Sequence, residues 1–387
     1  MKSISLVVFL FIVNIGFSQS NTVFIHPNQT DLNYAATQDS HMVIKNTSVN
    51  FNKLFLFIGG STSNPNSYFR ITEFAGDLGY DVLNISYPNS VPAASLNASS
   101  DELAFDHFRQ EICYGTNLSS AVSVDTLNSI YTRAVKLLNY LDTTYPSQNW
   151  NQYLTNTNSL NWSKIATGGH SQGAGHAAYF AKFENLDRVL MFSGPNDYST
   201  FFSQPANWLR ESGLTPMNRH YAYLSLLDEV VDFSKQLGNL EGLGLYPLFD
   251  TIHADVTLPP YGDSHCLYTT QNPGLAIFHH SSPVRNSAIN QLVWEYMLTS
   301  DFSTSIAKTI KETEILIFPN PSNSAFTIFS DENLFNKKYT VQNLNGQTIQ
   351  IGNLVNPEIN KIDLSKFENG IYFLTIDKKT FKIIKQD

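Results

Sequence analysis

Gly169-His170-Ser171-Gln172-Gly173 sets one hydroxyl among small residues, after the β-like run Lys164-Ile165-Ala166-Thr167 and before a small-residue helical stretch, Ala174 to Lys182. A strand that turns sharply into a helix crowds its own backbone, so the turn forms only where no bulky side chain flanks it. Such a turn holds the seryl oxygen at the edge of a sheet, over a helix N-terminus whose amides favour a developing negative charge. The bare spacing occurs in many unrelated chains. The strand before Ser171 and the helix after it make that serine the candidate nucleophile.

A seryl hydroxyl attacks only when a base takes its proton and a carboxylate orients that base. On an elbow of this kind the acid and then the histidine follow the serine in chain order. Asp228 comes after the apolar run Tyr221 to Leu227 and before Glu229-Val230-Val231, in the turn leaving a strand, and is the expected acid. Asp197, within Gly194-Pro195-Asn196-Asp197, competes with it, and Asp232 and Asp255 stand further along. Four histidines follow: His253, His265, His279 and His280. His280 precedes Ser281-Ser282-Pro283 and a final helix carrying Trp294-Glu295-Tyr296-Met297, the position expected of the base; His265 and His279 are the alternatives. For the oxyanion, one donor is expected from the amide of Gln172 and the other from Gly60 or Ser61, in the Gly59-Gly60-Ser61 loop. Nothing in this chemistry requires a cofactor or a metal.

These groups need a scaffold. From about Asn21 to Ser300, strand-like and helix-like segments alternate, which predicts an α/β domain with a mostly parallel sheet. Lys53 to Ile58 is a near-continuous apolar run, as for a strand covered on both faces, and Asp81 to Ser86 is a second strand. Tyr68 to Leu78 reads as a helix. Leu127, Ile130, Ala134, Leu137, Leu138 and Leu141 recur at helical spacing and predict an amphipathic helix over 126–144. Strands follow at Arg188 to Phe192 and Tyr221 to Leu226, and a closing helix at about Asn286 to Leu298. Two stretches, Pro88 to Asp125 (more helical around Asp101 to Ile112) and Asn196 to Asn218, are too long for plain connections and are candidate walls of a binding site.

At 387 residues, with hydrophobic content of 42%, the chain is long enough for one large domain and a smaller one. A formal net charge of −9 argues against nucleic acid, whose phosphates need a clustered positive surface. Residues 1–18 read as an export signal: Lys2, an apolar core from Ile4 to Phe17, then small residues before Gln19. That core is too short and interrupted for a membrane span, and none is expected in the mature chain. Cys113 and Cys266 lie in no Cys-x-x-Cys or Cys/His cluster, so no zinc site is expected; whether they pair stays open. A polar linker over 301–313 leads into short alternating segments separated by turns such as Asn345-Gly346 and Asn369-Gly370, a small all-β module, read as a sandwich, over 314–387.

With the elbow, the Gly-Gly-Ser loop and the downstream Asp and His, residues from about 50 to 300 resemble the α/β-hydrolase superfamily, which implies domain boundaries of 19–300. Gly-His-Ser-Gln-Gly-Ala-Gly-His and Trp-Glu-Tyr-Met resemble a group of bacterial secreted hydrolases, implying a serine-hydrolase mechanism of esterase type. The chain departs from the superfamily in the length of the connection from Asp228 to His280. The last 75 or so residues, through Phe318-Pro319-Asn320-Pro321, Asn345-Gly346, Gly370-Ile371-Tyr372-Phe373 and the basic end Lys378 to Lys385, are similar to the type A sorting domain of the type IX secretion system of Bacteroidetes. That likeness implies export through the periplasm, contact with secretion machinery, and a secreted or surface-attached product. The expected activity is cleavage of an ester in a small or polymeric substrate through an acyl-enzyme. A catalytically silent binding protein on the same fold is the alternative reading, and by composition the tail equally suits an adhesive or carbohydrate-binding sandwich.

Overall fold

The computed structural model describes residues 21–34, 38–46, 50–272, 279–300, 315–318, 320, 322–329, 334–356, 359–377 and 379–386. The export signal over 1–18, the linker over 301–313, and Pro319, Pro321 and Lys378 of the tail motifs lie outside these residues. The chain divides into two compact units, Met1–Asn286 with Asn290–Leu298, and Ser287–Ile289 with Thr299–Asp387.

The first unit is built on nine strands: β1 (Asn21–Ile25), β2 (His41–Lys45), β3 (Leu54–Ile58), β4 (Asp81–Ile85), β5 (Ile165–His170), β6 (Arg188–Phe192), β7 (His220–Ser225), β8 (Thr251–His253) and β9 (Cys266–Thr269). They form one sheet in the order β1-β2-β4-β3-β5-β6-β7-β9-β8. Strands β1 and β2 run antiparallel to their neighbours and every later pairing is parallel. The mostly parallel α/β sheet expected from the alternating segments is therefore present. Among the described residues, six helices of ten residues or more accompany it: α1 (Phe69–Leu78), α2 (Ala104–Tyr114), α3 (Ile130–Thr144), α4 (Gln172–Phe183), α5 (Phe233–Leu243) and α6 (Ala288–Thr299).

Period-two alternation sends each strand's side chains to two cores. Leu54, Leu56 and Ile58 pack with α2, α3, α4 and α5 on one face. Phe55 and Phe57 pack with Ile71 and Ala75 of α1 and Val293, Trp294 and Met297 of α6 on the other. Because both faces are covered, the strands read as unbroken apolar runs.

Several boundaries differ from the sequence reading for local reasons. Helix α3 starts at Ile130 rather than Thr126, because the Ser129 side chain accepts from the Thr132 amide and caps it there. Strand β5 runs on through Gly168 and Gly169 to His170. The long span from Asp228 to His280 holds α5 and the strands β8 and β9, which extend the sheet. Both cysteines are buried and free.

In the second unit, β10 (Leu316–Phe318), β11 (Ala325–Phe329) and β14 (Ile359–Asp363) make one antiparallel sheet in the order β10-β11-β14. Strands β12 (Lys338–Asn343), β13 (Thr348–Asn353), β15 (Gly370–Ile376) and β16 (Lys379–Lys385) make another in the order β13-β12-β15-β16. Phe326, Ile328 and Ile362 of the first meet Val341, Leu374, Ile376 and Ile383 of the second in one core. This is the small β-sandwich read from the alternating pattern.

Candidate active site

Ser171 stands between the end of β5 and the start of α4 with φ 56° and ψ −121°. Few non-glycine residues adopt a positive φ, and holding one there costs on the order of 1–3 kcal/mol, so the surroundings must impose it. They do: its amide donates to the Phe192 carbonyl at 2.8 Å and its carbonyl accepts from the Ala174 amide at 3.0 Å. The glycines explain why α4 can approach so closely. A β-carbon at Gly173 would lie 2.0 Å from the Ile58 carbonyl oxygen, and one at Gly169 2.3 Å from the Gly173 backbone. Ser171 itself is half-buried.

Asp228 lies in the turn after β7 with its side chain wholly buried. Its Oδ1 accepts from the amides of Val230 and Val231, both at 2.9 Å. Its Oδ2 accepts from Gln236 Nε2 at 2.9 Å and faces His280 Nδ1 at 2.6 Å. Burial works to raise the carboxyl, but the bond and charge of His280 and the two amides outweigh it and hold the group below the usual carboxylate range. Since a carboxylate only accepts, His280 Nδ1 carries the proton and Nε2 is left with its lone pair. That Nε2 is buried and has no hydrogen-bond partner among the described residues.

The His280 loop is tied to the elbow. His170, the residue before Ser171, has its Nε2 3.0 Å from the His280 carbonyl oxygen, and the two imidazoles lie 4.8 Å apart between ring centres. Ser193, after β6, donates to the same carbonyl at 2.5 Å. Glu229 accepts from the His280 amide at 3.2 Å, which fixes the loop from the Asp228 side.

The other candidates are occupied elsewhere. His265 is stacked between Tyr221 and Phe249, with ring centres 4.1 and 4.0 Å away, and its Nδ1 meets the His220 carbonyl. His279 faces Glu229 at 3.7 Å. Asp197 is clamped by Arg109 and Trp208, Asp232 caps α5, and Asp255 is filled by Thr269, Thr270 and Gln271.

Among the oxyanion candidates, the Gln172 amide is the first of α4, where an N–H has no partner within its own helix. The Gly60 amide is engaged: it donates to the Tyr68 hydroxyl at 2.9 Å. Ser61, the other residue expected there, has no hydrogen bond to its amide among the described residues. The loop lies against Ser171, since a β-carbon at Gly60 would stand 3.2 Å from that of the serine.

The strand order, with β1 and β2 antiparallel and β5 turning sharply at Ser171 into α4, decides the architecture. The larger unit has the α/β-hydrolase fold. Three solved structures similar to the chain are a dienelactone hydrolase from Anabaena variabilis, the esterase domain of a Rhodothermus marinus protein and a Bacillus cereus carboxylesterase. The first is 17% identical over 72% of this chain and 97% of its own, with a TM-score of 0.36. The second is 12% identical over 73% and 97%, with a TM-score of 0.35. The third is 15% identical over 56% and 82%, with a TM-score of 0.28. Residues 316–386 match the model of the secretion system C-terminal sorting domain. No curated protein sequence matches the chain. Among the described residues of the α/β-hydrolase unit and the tail, no helix is long and apolar enough to cross a membrane.

Three residues of the site were not singled out from sequence. Asn196 donates from Nδ2 to Ser171 Oγ at 3.4 Å, and Tyr68 and His170 bond to each other at 3.1 Å. His170 lies within the elbow motif itself, but its partners are 102 and 110 residues away and no local pattern points to them.

The two long stretches, 88–125 and 196–218, pack on each other. Thr200 donates its amide to the Asn97 carbonyl at 2.7 Å, and Arg109 of α2 reaches Asp197.

Proposed function

We propose that the protein is an exported serine hydrolase that cleaves an ester through an acyl-enzyme. One observation carries the reading: a buried Asp228 carboxylate orients His280 through Nδ1 at 2.6 Å, leaving an unpartnered Nε2 beside an elbow whose serine is held at positive φ. Export rests on the sorting-domain match over 316–386.

In this reaction Ser171 Oγ attacks the acyl carbonyl carbon while His280 Nε2 takes the hydroxyl proton. The carbonyl π pair moves onto oxygen, and the amides of Gln172 and Ser61 donate to that oxyanion. When the oxyanion collapses, the bond to the leaving alkoxide breaks and His280 returns its proton to it. Water then repeats the sequence on the acyl-serine, freeing the acid. Asp228 stays ionised throughout and stabilises the imidazolium.

Labelling with a fluorophosphonate probe tests this directly. Wild type takes the label and Ser171→Ala does not; unlabelled wild type, or equal labelling of the variant, sinks the proposal and leaves the catalytically silent binding protein. On p-nitrophenyl acetate, His280→Gln removes turnover whereas His265→Gln, which disturbs a stacked ring and its bond to the His220 carbonyl, retains it.

A further inference from the structure

The proposed triad leaves one imidazole of the site without a task. His170 has only 6% of its surface exposed, next to the nucleophile, and both ring nitrogens are engaged. Its Nε2 faces the carbonyl oxygen of His280, which only accepts, so Nε2 carries the hydrogen. Burial, with His280 adding to it, pushes its pKa down to about 3, so the ring is neutral and Nδ1 holds a lone pair. Tyr68 has one hydroxyl hydrogen and two acceptors in reach, His170 Nδ1 at 3.1 Å and Ser63 Oγ at 3.2 Å, and the bare imidazole nitrogen, the stronger acceptor, takes it. The Tyr68 oxygen in turn accepts the Gly60 amide at 2.9 Å. Every hydrogen in this row points the same way: from Gly60 N–H to Tyr68 O–H, to His170, and from His170 Nε2–H to the His280 carbonyl. Neither nitrogen of His170 is left to accept a proton from Ser171, so it is no second base.

We propose that His170 is a positioning residue for the catalytic base, coupling the oxyanion loop, the elbow and the His280 loop through one neutral imidazole of fixed tautomer. This rests on the hydrolase reading above. A ring that only fills space would be replaced without loss by phenylalanine, which keeps the volume and drops both bonds. Glutamine instead keeps an N–H near the Nε2 position and restores the bond to the His280 carbonyl. Tyr68→Phe removes the donor to Nδ1 and frees the Gly60 amide, while leaving His170 in place.

The test is steady-state hydrolysis of p-nitrophenyl acetate by the full chain, with circular dichroism as the check on folding. His170→Phe is expected to lower kcat roughly 10- to 100-fold, the cost of a misplaced catalytic group, with KM within about twofold. His170→Gln is expected to recover most of that loss. Tyr68→Phe lowers kcat as well, and its effect combined with His170→Phe falls short of the product of the two. Should His170→Phe fail to fold, Tyr68→Phe and His170→Gln carry the comparison. Wild-type kcat in His170→Phe or Tyr68→Phe, no recovery in His170→Gln, or effects that simply multiply overturn the proposal while the hydrolase reading stands. Inactivity of wild type toward both the ester and the fluorophosphonate overturns that reading and this one with it.

Discussion

Asp197 accepts from both Nε and Nη2 of Arg109, at 2.9 and 2.5 Å, and neither side chain is exposed to solvent. Trp208 Nε1 adds a third bond to the same carboxylate at 2.7 Å, and Arg109 Nη1 donates to the Gln172 carbonyl at 2.6 Å. The pair thus pins α2 and the segment after β6 to Gln172, the first residue of α4. Breaking such a pair leaves one buried charge uncompensated. Arg109→Met or Asp197→Leu alone should cost about 3–5 kcal/mol in urea unfolding, and the double variant less than either single. A double variant as unstable as the sum of the singles would show that the pair is not what joins these segments.

Gly173 leaves no room for a methyl group, because the atoms it would meet are the carbonyls of Ile58 and Gly59, which belong to β3 and the loop after it. Gly173→Ala should destabilise the larger unit by about 1–3 kcal/mol or more and abolish labelling of Ser171. A folded variant that still labels at the wild-type rate would mean that the elbow tolerates expansion.

Ser61→Pro removes the amide N–H from the loop after β3 together with the hydroxyl, and Ser61→Ala, which removes the hydroxyl alone, is its control. If that amide holds the oxyanion, kcat on an activated ester falls about 10²–10³-fold with KM little changed. A loss confined to KM would move the second donor elsewhere, to the Asn196 amide group beside Ser171 or to another backbone N–H.

Burial lowers the pKa of His41 and His170 to about 3 and of His220 to about 4, against an ordinary value of 6.5. Between pH 6.5 and about 4 the unfolded chain therefore binds protons that the folded chain refuses. Their stabilisation is complete above pH 6.5 and is lost as the pH falls, by up to about 1.4 kcal/mol per pH unit for each group. Urea midpoints measured from pH 7 to 4.5 should decline accordingly. His41→Asn keeps an acceptor for the Ser86 amide that now donates to His41 Nδ1 at 3.0 Å, and should flatten the decline. An unchanged slope would remove His41 from the set.

Much of this site could be read along the chain because its constraints are local. Gly169 and Gly173 mark the elbow, Asp228 follows an apolar strand, and His280 precedes the last helix of the fold. The connections that orient these groups are not local. Arg109 and Asp197 are 88 residues apart, and Tyr68 and His170 are 102 apart, so neither pair leaves a periodic trace. Strands β8 and β9 escaped for another reason: at three and four residues they are too short to show an alternation. The segment between Asp228 and His280 consequently read as an overlong connection, although it extends the sheet.

Cys113 and Cys266 each sit sealed in the larger unit, unbonded to one another, and burial raises both thiols, Cys266 to about 12. No covalent link has to be forged before this protein reaches its native form. Dithiothreitol should leave its melting temperature unmoved, and material produced in a reducing cytosol should match material passed through an oxidising compartment.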